Sequence, residues 1–521
     1  MRGLTTVRRE RPPPSSLVLV VTDKERQGAA LQPIVAQGRN CWRIARADKA
    51  SVIVDAADYY RVIAAAMEAA QNRIFIVGWD FDTRIALAPD DHGQGETLGH
   101  FFLRLAHEKP SREIDILKWN FGALKQFGHA TAIMWLMRWW KTKAIDFRFD
   151  ASHPVGCSHH QKIVVIDDML AACGGIDIAA HRWDTPDHLD DDPHRIGPDG
   201  KPYMPWHDAT MLMLGDVAGK LSELGRERWK VATHAELKRI EPCEAQWPEK
   251  LEVMFSDVDV AIARTRSAYD SLPEVREIEA LYIDMIAAAH RFLYIENQYL
   301  TSATIAAALA ERLAEPDPPE IVLVMPRTAD GWLEQKAMDA ARLQLVKAIR
   351  RADHRDRFRI FVPVTAKGAD IYVHAKVAIV DDRLLRVGSS NLNNRSQGLD
   401  SECDVIIDAG LAANRDSGPA MTALRYRLLA EHLHCDAAEI EAAEKECGSM
   451  IGAVERLRGH DGKTLVPLPM EEVGEVEAII ADNELLDPQR PENMFEPMGK
   501  HGLARSWARG RSRIEARLRG R

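Results

Sequence analysis

No Cys-x-x-Cys pair occurs in this sequence; its seven cysteines, at 41, 157, 173, 243, 403, 435 and 447, are odd in number and scattered. That leaves neither a cysteine zinc site nor a disulfide framework, and the expectation is reduced, partly buried thiols. Also missing is any apolar run close to the ~20 residues of a membrane-spanning helix. The run Leu17–Val21 is too short and too poorly flanked for a signal peptide. There is no excess of positive charge either. Sixty-eight Lys and Arg against 78 Asp and Glu give a net charge of −10, which argues against a protein whose main task is to hold nucleic acid. With 46% hydrophobic and 28% charged residues, the composition is that of an ordinary globular chain. The expectation is a cytoplasmic protein that meets membranes peripherally, with secretion lacking a cleavable signal left open.

What is present is a repeat. His160, Lys162, Asp167, Gly174 and Asp177 in SHHQKIVVIDDMLAACGGID are each followed, 214 residues later, by His374, Lys376, Asp381, Gly388 and Asn391 in YVHAKVAIVDDRLLRVGSSN. A register held over five pairs indicates duplication. Weaker echoes precede each copy in the same order. Arg73–Val77 mirrors Arg291–Ile295, Ile114–Leu117 mirrors Ile321–Val324, and Asp146–Phe149 mirrors Arg359–Val362. These β-branched and aromatic runs between helical stretches predict buried strands of an α/β sheet. The organisation read from this is a flexible arm at 1–40, one half at 41–250, a second at 251–430, and an extension at 431–521 that is helical, then acidic, then basic. In that last segment, Lys500–Arg521 holds eight basic residues against one acidic. Such blocks usually form solvated tails and less often an anchor for an anionic surface.

Side chains two apart on a strand share a face, so each half presents a histidine beside a lysine: His160 with Lys162, His374 with Lys376. The small residues behind them let backbone approach an anion, and Gly174, Gly175, Asp177, Ser389 and Asn391 are the expected phosphate-binding set. Two histidines facing each other between two lysines suit displacement at a phosphodiester. One imidazole attacks phosphorus, the other protonates the leaving alkoxide, and the lysines stabilise charge that other enzymes give to a metal. No metal or other cofactor is expected to be required. Asp208 (PWHD) and Glu402 (DSECD) are the candidate carboxylates that fix the imidazole tautomers. Asp167 and Asp381 complete the motif, but their parity puts them off the histidine face and points to a role at the strand end.

The doubled HxKxxxxD motif followed by GG or GS resembles the phospholipase D superfamily, over roughly residues 41–430. SHHQKIVVID, GGIDIAAHRWDTPDH, PWHD, LYIENQYL and NNRSxxxDSE look like its phosphatidylcholine-hydrolysing branch known from plants and other eukaryotes. The resemblance implies a pseudo-twofold pair of α/β sandwich lobes with the site at their interface, complete within one chain. By position, His160 matches the family nucleophile and His374 the general acid, and Asp208 and Glu402 match its histidine-supporting carboxylates. It also implies a phospholipid substrate on a membrane surface, with water or an alcohol as acceptor. Two departures stand out. Asp177 sits where many bacterial members have Asn, and an arm of about 40 residues has no room for the calcium-dependent membrane module of plant enzymes.

Two further regions carry expectations. In Ile133–Lys141 the tryptophans fall on helical faces that suit either packing on the sheet or resting on a bilayer. His159 and the run His181–Asp184 are candidate pocket linings. The expected activity is a phospholipase D that releases phosphatidic acid and a head-group alcohol, with transphosphatidylation to alcohols. The alternatives are a cardiolipin or phosphatidylserine synthase and, less favoured by the charge and by the presence of both motif copies, a nuclease.

Overall fold

The structure, a computed structural model, describes residues 31–89, 95–119, 130–241, 243, 245–328, 332–470 and 487. In the first half the strands are β1 (Arg43–Val54), β2 (Arg73–Gly78), β3 (Glu113–Trp119), β4 (Ile145–Asp150), β5 (Ile163–Ile166), β6 (Leu170–Gly174), β7 (Trp206–His207) and β8 (Ala209–Leu214). In the second they are β9 (Phe255–Arg266), β10 (Val275–Arg276), β11 (Phe292–Glu296), β12 (Glu320–Val324), β13 (Phe358–Val364), β14 (Tyr372–Val373), β15 (Val377–Val380), β16 (Leu384–Gly388), β17 (Glu402–Asp408) and β18 (Thr464–Pro467). The helices are α1 (Ala56–Ala69), α2 (Leu98–Glu108), α3 (Ala130–Trp140), α4 (Asp216–Thr233), α5 (Glu277–Ala288), α6 (Ala303–Leu313), α7 (Trp332–Ala352), α8 (Asn394–Gly398), α9 (Gly418–Leu433), α10 (Ala437–Cys447) and α11 (Met450–Leu457).

Strand order makes the duplication visible. The first half runs β4-β3-β2-β5-β6-β8-β1 and the second β9-β17-β16-β15-β11-β12-β13-β18, so β1 matches β9, β5 matches β15 and β2 matches β11. The two long strands β1 and β9 pair antiparallel, and the sheets of the two halves fuse into one of 16 strands. The two α/β lobes therefore meet edge to edge through one continuous sheet. One hydrophobic core, with α4 and α9, runs under both halves, while α1–α3 cover the other face of the first half and α5–α7 that of the second. The parallel strands β2, β3, β11 and β12 are buried almost throughout and mostly apolar, as sheets covered on both faces require, and the buried Asp115 and Lys118 of β3 are paired with Arg73 and Asp80.

The motif aspartates explain themselves here. Asp167-Asp168 and Asp381-Asp382 all have φ between 52° and 54° and are the central pairs of the tight turns closed by Met169 N–H on the Ile166 carbonyl and Arg383 N–H on the Val380 carbonyl, within the three-residue connections of the β5–β6 and β15–β16 hairpins. Such turns need positive φ at both centres, which Asp tolerates better than most residues with a Cβ. Asp167 then accepts the N–H groups of Gln71, Asn72 and Arg73 at 2.6, 2.6 and 2.8 Å, and Asp381 those of His290, Arg291 and Phe292 at 2.7–2.9 Å. Each carboxylate ties down the entry to the central parallel strand of its half. Neither belongs to the catalytic group in which the motif would place it. Asp167→Ala is expected to cost about 2–3 kcal/mol of stability through the unsatisfied N–H groups, read by chemical denaturation, while turnover per folded molecule stays within about threefold of wild type.

Two expectations are corrected. The arm does not reach residue 40: Ile34 and Val35 are buried with their N–H groups on Asp408, and buried Asn40 donates to Asp284 at 2.7 Å. Residues 1–30 lie outside the described residues. The extension from 431 is not an appendage, since α10, α11 and β18 complete the second half and β18 pairs with β13. Asp487 is also buried there, accepting from Thr301 Oγ1 and the Asn394 and Arg395 N–H groups. The remaining acidic and basic blocks lie outside the described residues. In α3 the tryptophans divide: Trp135 and Trp139 are buried, Trp139 donating to the Gly99 carbonyl, whereas Trp140 is 87% exposed beside exposed Met137 and Met134. Ile133 falls outside the described side chains. All seven cysteines are free thiols.

Candidate active site

The residues just before β5 and β15 do not continue those strands but cross to the other half. The His160 N–H donates to the Ser401 carbonyl, and the Ser401 N–H to the Ser158 carbonyl. In the second copy β14 pairs with β7, and the His374 N–H donates to the His207 carbonyl. Each motif histidine is thereby set beside the segment that carries the carboxylate of the opposite half. His160 Nδ1 lies 3.0 Å from both oxygens of Glu402, and His374 Nδ1 lies 2.6 Å from Asp208 Oδ2. With Nδ1 committed on each ring, Nε2 is the nitrogen left for chemistry. Every one of these side chains is nearly or fully buried, and His160 is the most accessible at 13%.

Burial sets the charge states. It holds His160 well below its ordinary pKa, helped by Lys162 and Lys376. It does the same to His374, helped by Lys376, Arg182, Lys162 and His160. Burial pushes Glu402 up to about 8 and raises Asp208. Glu402 also accepts the hydroxyls of Ser389 and Ser396 at 2.5 and 2.6 Å, bonds that favour its ionised form and oppose the effect of burial. Lys376, without exposure, falls to about 7 through burial and the nearby Lys162.

The two lysines are held differently. Lys162 Nζ donates to the His160 carbonyl at 2.9 Å, lies 3.3 Å from Asp177 Oδ2 and stands 5.5 Å from the Trp79 ring centre. Lys376 donates to the His374 carbonyl and, at 3.3 Å, to Gln298 Oε1. Most of the expected phosphate-binding residues are engaged by protein groups instead. Gly174 is pressed against Thr210, and a Cβ on Gly175 would stand 2.1 Å from Asp208 Oδ1, so these glycines make room for strand β8 and for the carboxylate. Ser389 serves Glu402, and Asp177 pairs with Lys162. Asn391 keeps its buried side-chain oxygen without a hydrogen bond.

Some contributors escaped the sequence reading. Trp79 meets His160 edge-on at 5.8 Å, Gln298 supports Lys376, and Trp206 stacks on Tyr372 at 4.6 Å beside His374. Trp79 and Gln298 follow the carboxyl ends of the matched strands β2 and β11, where ligands gather in α/β sheets, and that position was the available signal. Of the run His181–Asp184, Arg182 lies over Trp206 at 4.2 Å and has a buried Nε without a hydrogen bond. His159 turns away, with Nδ1 on Ser401 at 2.7 Å and Nε2 3.2 Å from Asp150. A cavity of about 520 Å³ lined by His159, Gln161 and Arg228 adjoins the site, but neither motif histidine lines it.

A fused duplicated α/β sheet with one histidine–lysine pair from each half, buttressed crosswise by carboxylates, defines a class that comparison with known proteins makes specific. A family model described as "Phospholipase D" matches residues 66–311, and one described as "Cardiolipin synthase, PLD-like domain" matches 282–415. The chain belongs to the phospholipase D superfamily. Among its relatives, phospholipase D1 of Saccharomyces cerevisiae is 27% identical over 387 residues, covering 56% of this chain and 23% of the yeast protein. Phospholipase D alpha 1 of Carica papaya is 23% identical over 535 residues, 74% of this chain and 65% of the papaya protein. The fold is shared with a phosphatidylserine synthase of Haemophilus influenzae, with a TM-score of 0.51 at 14% identity over 79% of this chain and 91% of that one. Among the described residues, no helix is long and apolar enough to cross a membrane.

Proposed function

We propose that this chain hydrolyses glycerophospholipids of the phosphatidylcholine or phosphatidylethanolamine type to phosphatidic acid and the head-group alcohol. The observation that carries the chemistry is the crossed pair of buttressed histidines, His160–Glu402 and His374–Asp208. His160 Nε2 attacks phosphorus and the phosphorus–oxygen bond to the head group breaks, while His374 gives its proton to the departing alkoxide. Glu402 supports the charge that His160 acquires. His374 next takes a proton from water, whose oxygen attacks phosphorus and breaks the phosphorus–nitrogen bond. Lys162 and Lys376 neutralise the non-bridging oxygens throughout, and no step calls for a metal ion at phosphorus. An alcohol in place of water gives transphosphatidylation. The similarity of 282–415 to the cardiolipin synthase model makes a phosphatidyltransferase the second reading, with the same first step and a lipid alcohol as acceptor.

Both histidines sit below their ordinary pKa in the free protein through burial, with Lys162 and Lys376 adding to it at both and Arg182 at His374. A bound phosphodiester brings a negative charge beside both rings and raises them. The pH profile of kcat, which reports the bound state, is therefore expected at higher pH than that of kcat/KM, which reports the free protein. Coincident profiles would remove this electrostatic picture.

The substrate reading is tested by incubating the full chain with mixed phosphatidylcholine and phosphatidylethanolamine vesicles and ethanol, then resolving the lipids. Phosphatidic acid plus phosphatidylethanol, absent with His160→Ala and with His374→Ala, supports it. Wild-type protein that forms neither lipid yet cleaves single-stranded DNA would end it.

A further inference from the structure

Behind the Asp208–His374 pair lies a second buried cluster that the chemistry above leaves unused. Asp55, His188, His207 and Glu431 are fully shielded or nearly so, and each offers one donor atom within 4.8 Å of the others. We propose that these four residues form a closed site for one divalent transition ion of the zinc class, with three ligands from the first half and Glu431 from α9.

Spacing is the first argument. His188 Nε2 lies 3.2 Å from Glu431 Oε1 and 3.6 Å from Asp55 Oδ2, while His207 Nδ1 lies 2.7 Å from Glu431 Oε1 and 3.4 Å from Asp55 Oδ1. A tetrahedral ion with ligand bonds of about 2.0–2.1 Å sets its donors about 3.3 Å apart. Two neutral imidazoles and two carboxylates also suit zinc in kind, and four protein ligands leave no open position, as in a structural rather than a catalytic site.

The outer groups are the second argument. His188 Nδ1 is bonded to Asp184 Oδ2 at 2.9 Å, and His207 Nε2 to Glu296 Oε2 at 2.9 Å. Those carboxylates fix the N–H of each ring on its outer side and turn the lone pair of the other nitrogen inward, the arrangement that orients metal-bound histidines. They are anchored in turn. Asp184 takes Arg195 at 3.1 Å and the Trp206 N–H at 2.8 Å, and Glu296 takes the Tyr294 hydroxyl at 2.6 Å and His432 Nε2 at 3.1 Å. Inside the cluster the inward nitrogens of the two rings then face two carboxylates, an arrangement that needs either a cation between them or a further proton on each ring, and the four converging donors suit the cation.

Asp55 is the third. It stands at the N-cap of α1, where an aspartate ordinarily accepts a helix N–H, yet its side chain makes no capping bond. Its φ of 64° turns the carboxylate into the cluster instead, and Oδ2 is buried without a hydrogen bond. The same residue accepts the Asp208 N–H through Oδ1 at 3.1 Å and donates its own N–H to the Asp208 carbonyl at 2.8 Å. An ion held here locks the strand that carries Asp208, and through it His374, while joining the two halves by ligands. The residues are positioning residues, and the ion takes no part at phosphorus.

Untagged full-length protein, dialysed against metal-free buffer, is analysed by inductively coupled plasma mass spectrometry and by X-ray absorption at the edge of the metal found. About one ion per chain, with four nitrogen or oxygen ligands at about 2.0 Å including two imidazoles, is the result expected. His188→Gln should then lose the ion, whereas His432→Gln, which touches Glu296 but lies outside the four donors, should keep it. Wild-type protein with under about a tenth of an equivalent and no rise in melting temperature on adding zinc would overturn the proposal, leaving a proton-filled ion network. Retention of the full equivalent by folded His188→Gln would overturn it too. The wild-type measurement stands whether or not the variant folds, and it does not depend on which lipid is cleaved.

Discussion

Replacing His160 or His374 with alanine is expected to lower turnover of a phosphodiester by at least about 10⁴-fold, and the double variant to be no slower than either single one. The expectation rests on their acting in one reaction coordinate. Each ring has its Nδ1 tied to a buried carboxylate, and His160 is among the groups that hold His374 below its ordinary pKa. Their effects should separate by leaving group. With a p-nitrophenyl ester, whose leaving oxygen needs no proton, His374→Ala should still give a burst of nitrophenolate equal to the active sites and then stall. His160→Ala should give no burst. Rapid-quench measurement of the burst distinguishes them, and additive losses in the double variant would mean that the histidines work in separate events.

The second large effect follows from the crossing of the halves. Glu402→Gln and Asp208→Asn are expected to reduce kcat by about 10²–10⁴-fold, because an amide cannot stabilise the imidazolium or hold the same tautomer. Their phenotypes should follow their spatial partners rather than their neighbours in sequence. Glu402→Gln, in the second half, should abolish the burst as His160→Ala does, whereas Asp208→Asn, in the first, should allow it as His374→Ala does. Gly175→Ala should resemble Asp208→Asn, since its Cβ would claim the space of the Asp208 carboxylate. Burst kinetics on these three variants check the crossing, and a pattern that pairs Asp208 with His160 would contradict it.

Much of this was legible from residue spacing. The constant offset of 214 residues places β5 on β15 and β6 on β16, and the parity of Asp167 and Asp381 puts them off the histidine face. The apolar runs marked β2, β3, β11 and β12 because strands buried on both faces are apolar throughout. What spacing could not show were the contacts made at long range. The long strands β1 and β9 carry charges at half-exposed positions, so nothing in their pattern announces that they fuse the halves. In the sequence the glycines after the motif look like anion cradles, but their missing Cβ atoms serve Thr210 and Asp208, residues distant in sequence. Ser389 likewise serves the distant Glu402. His188 and His207 carry no local metal-ligand spacing with Asp55 and Glu431, because four different segments bring that cluster together.

The most direct test of the central claim is mass spectrometry of the protein quenched during turnover of a phosphodiester, using His374→Asn to stall the second step. A phosphoryl adduct on the peptide containing His160, absent when Glu402→Gln is added and never found on residue 374, is the result predicted. A stalled protein with no adduct at His160, or wild-type protein labelled at His374 instead, would contradict it.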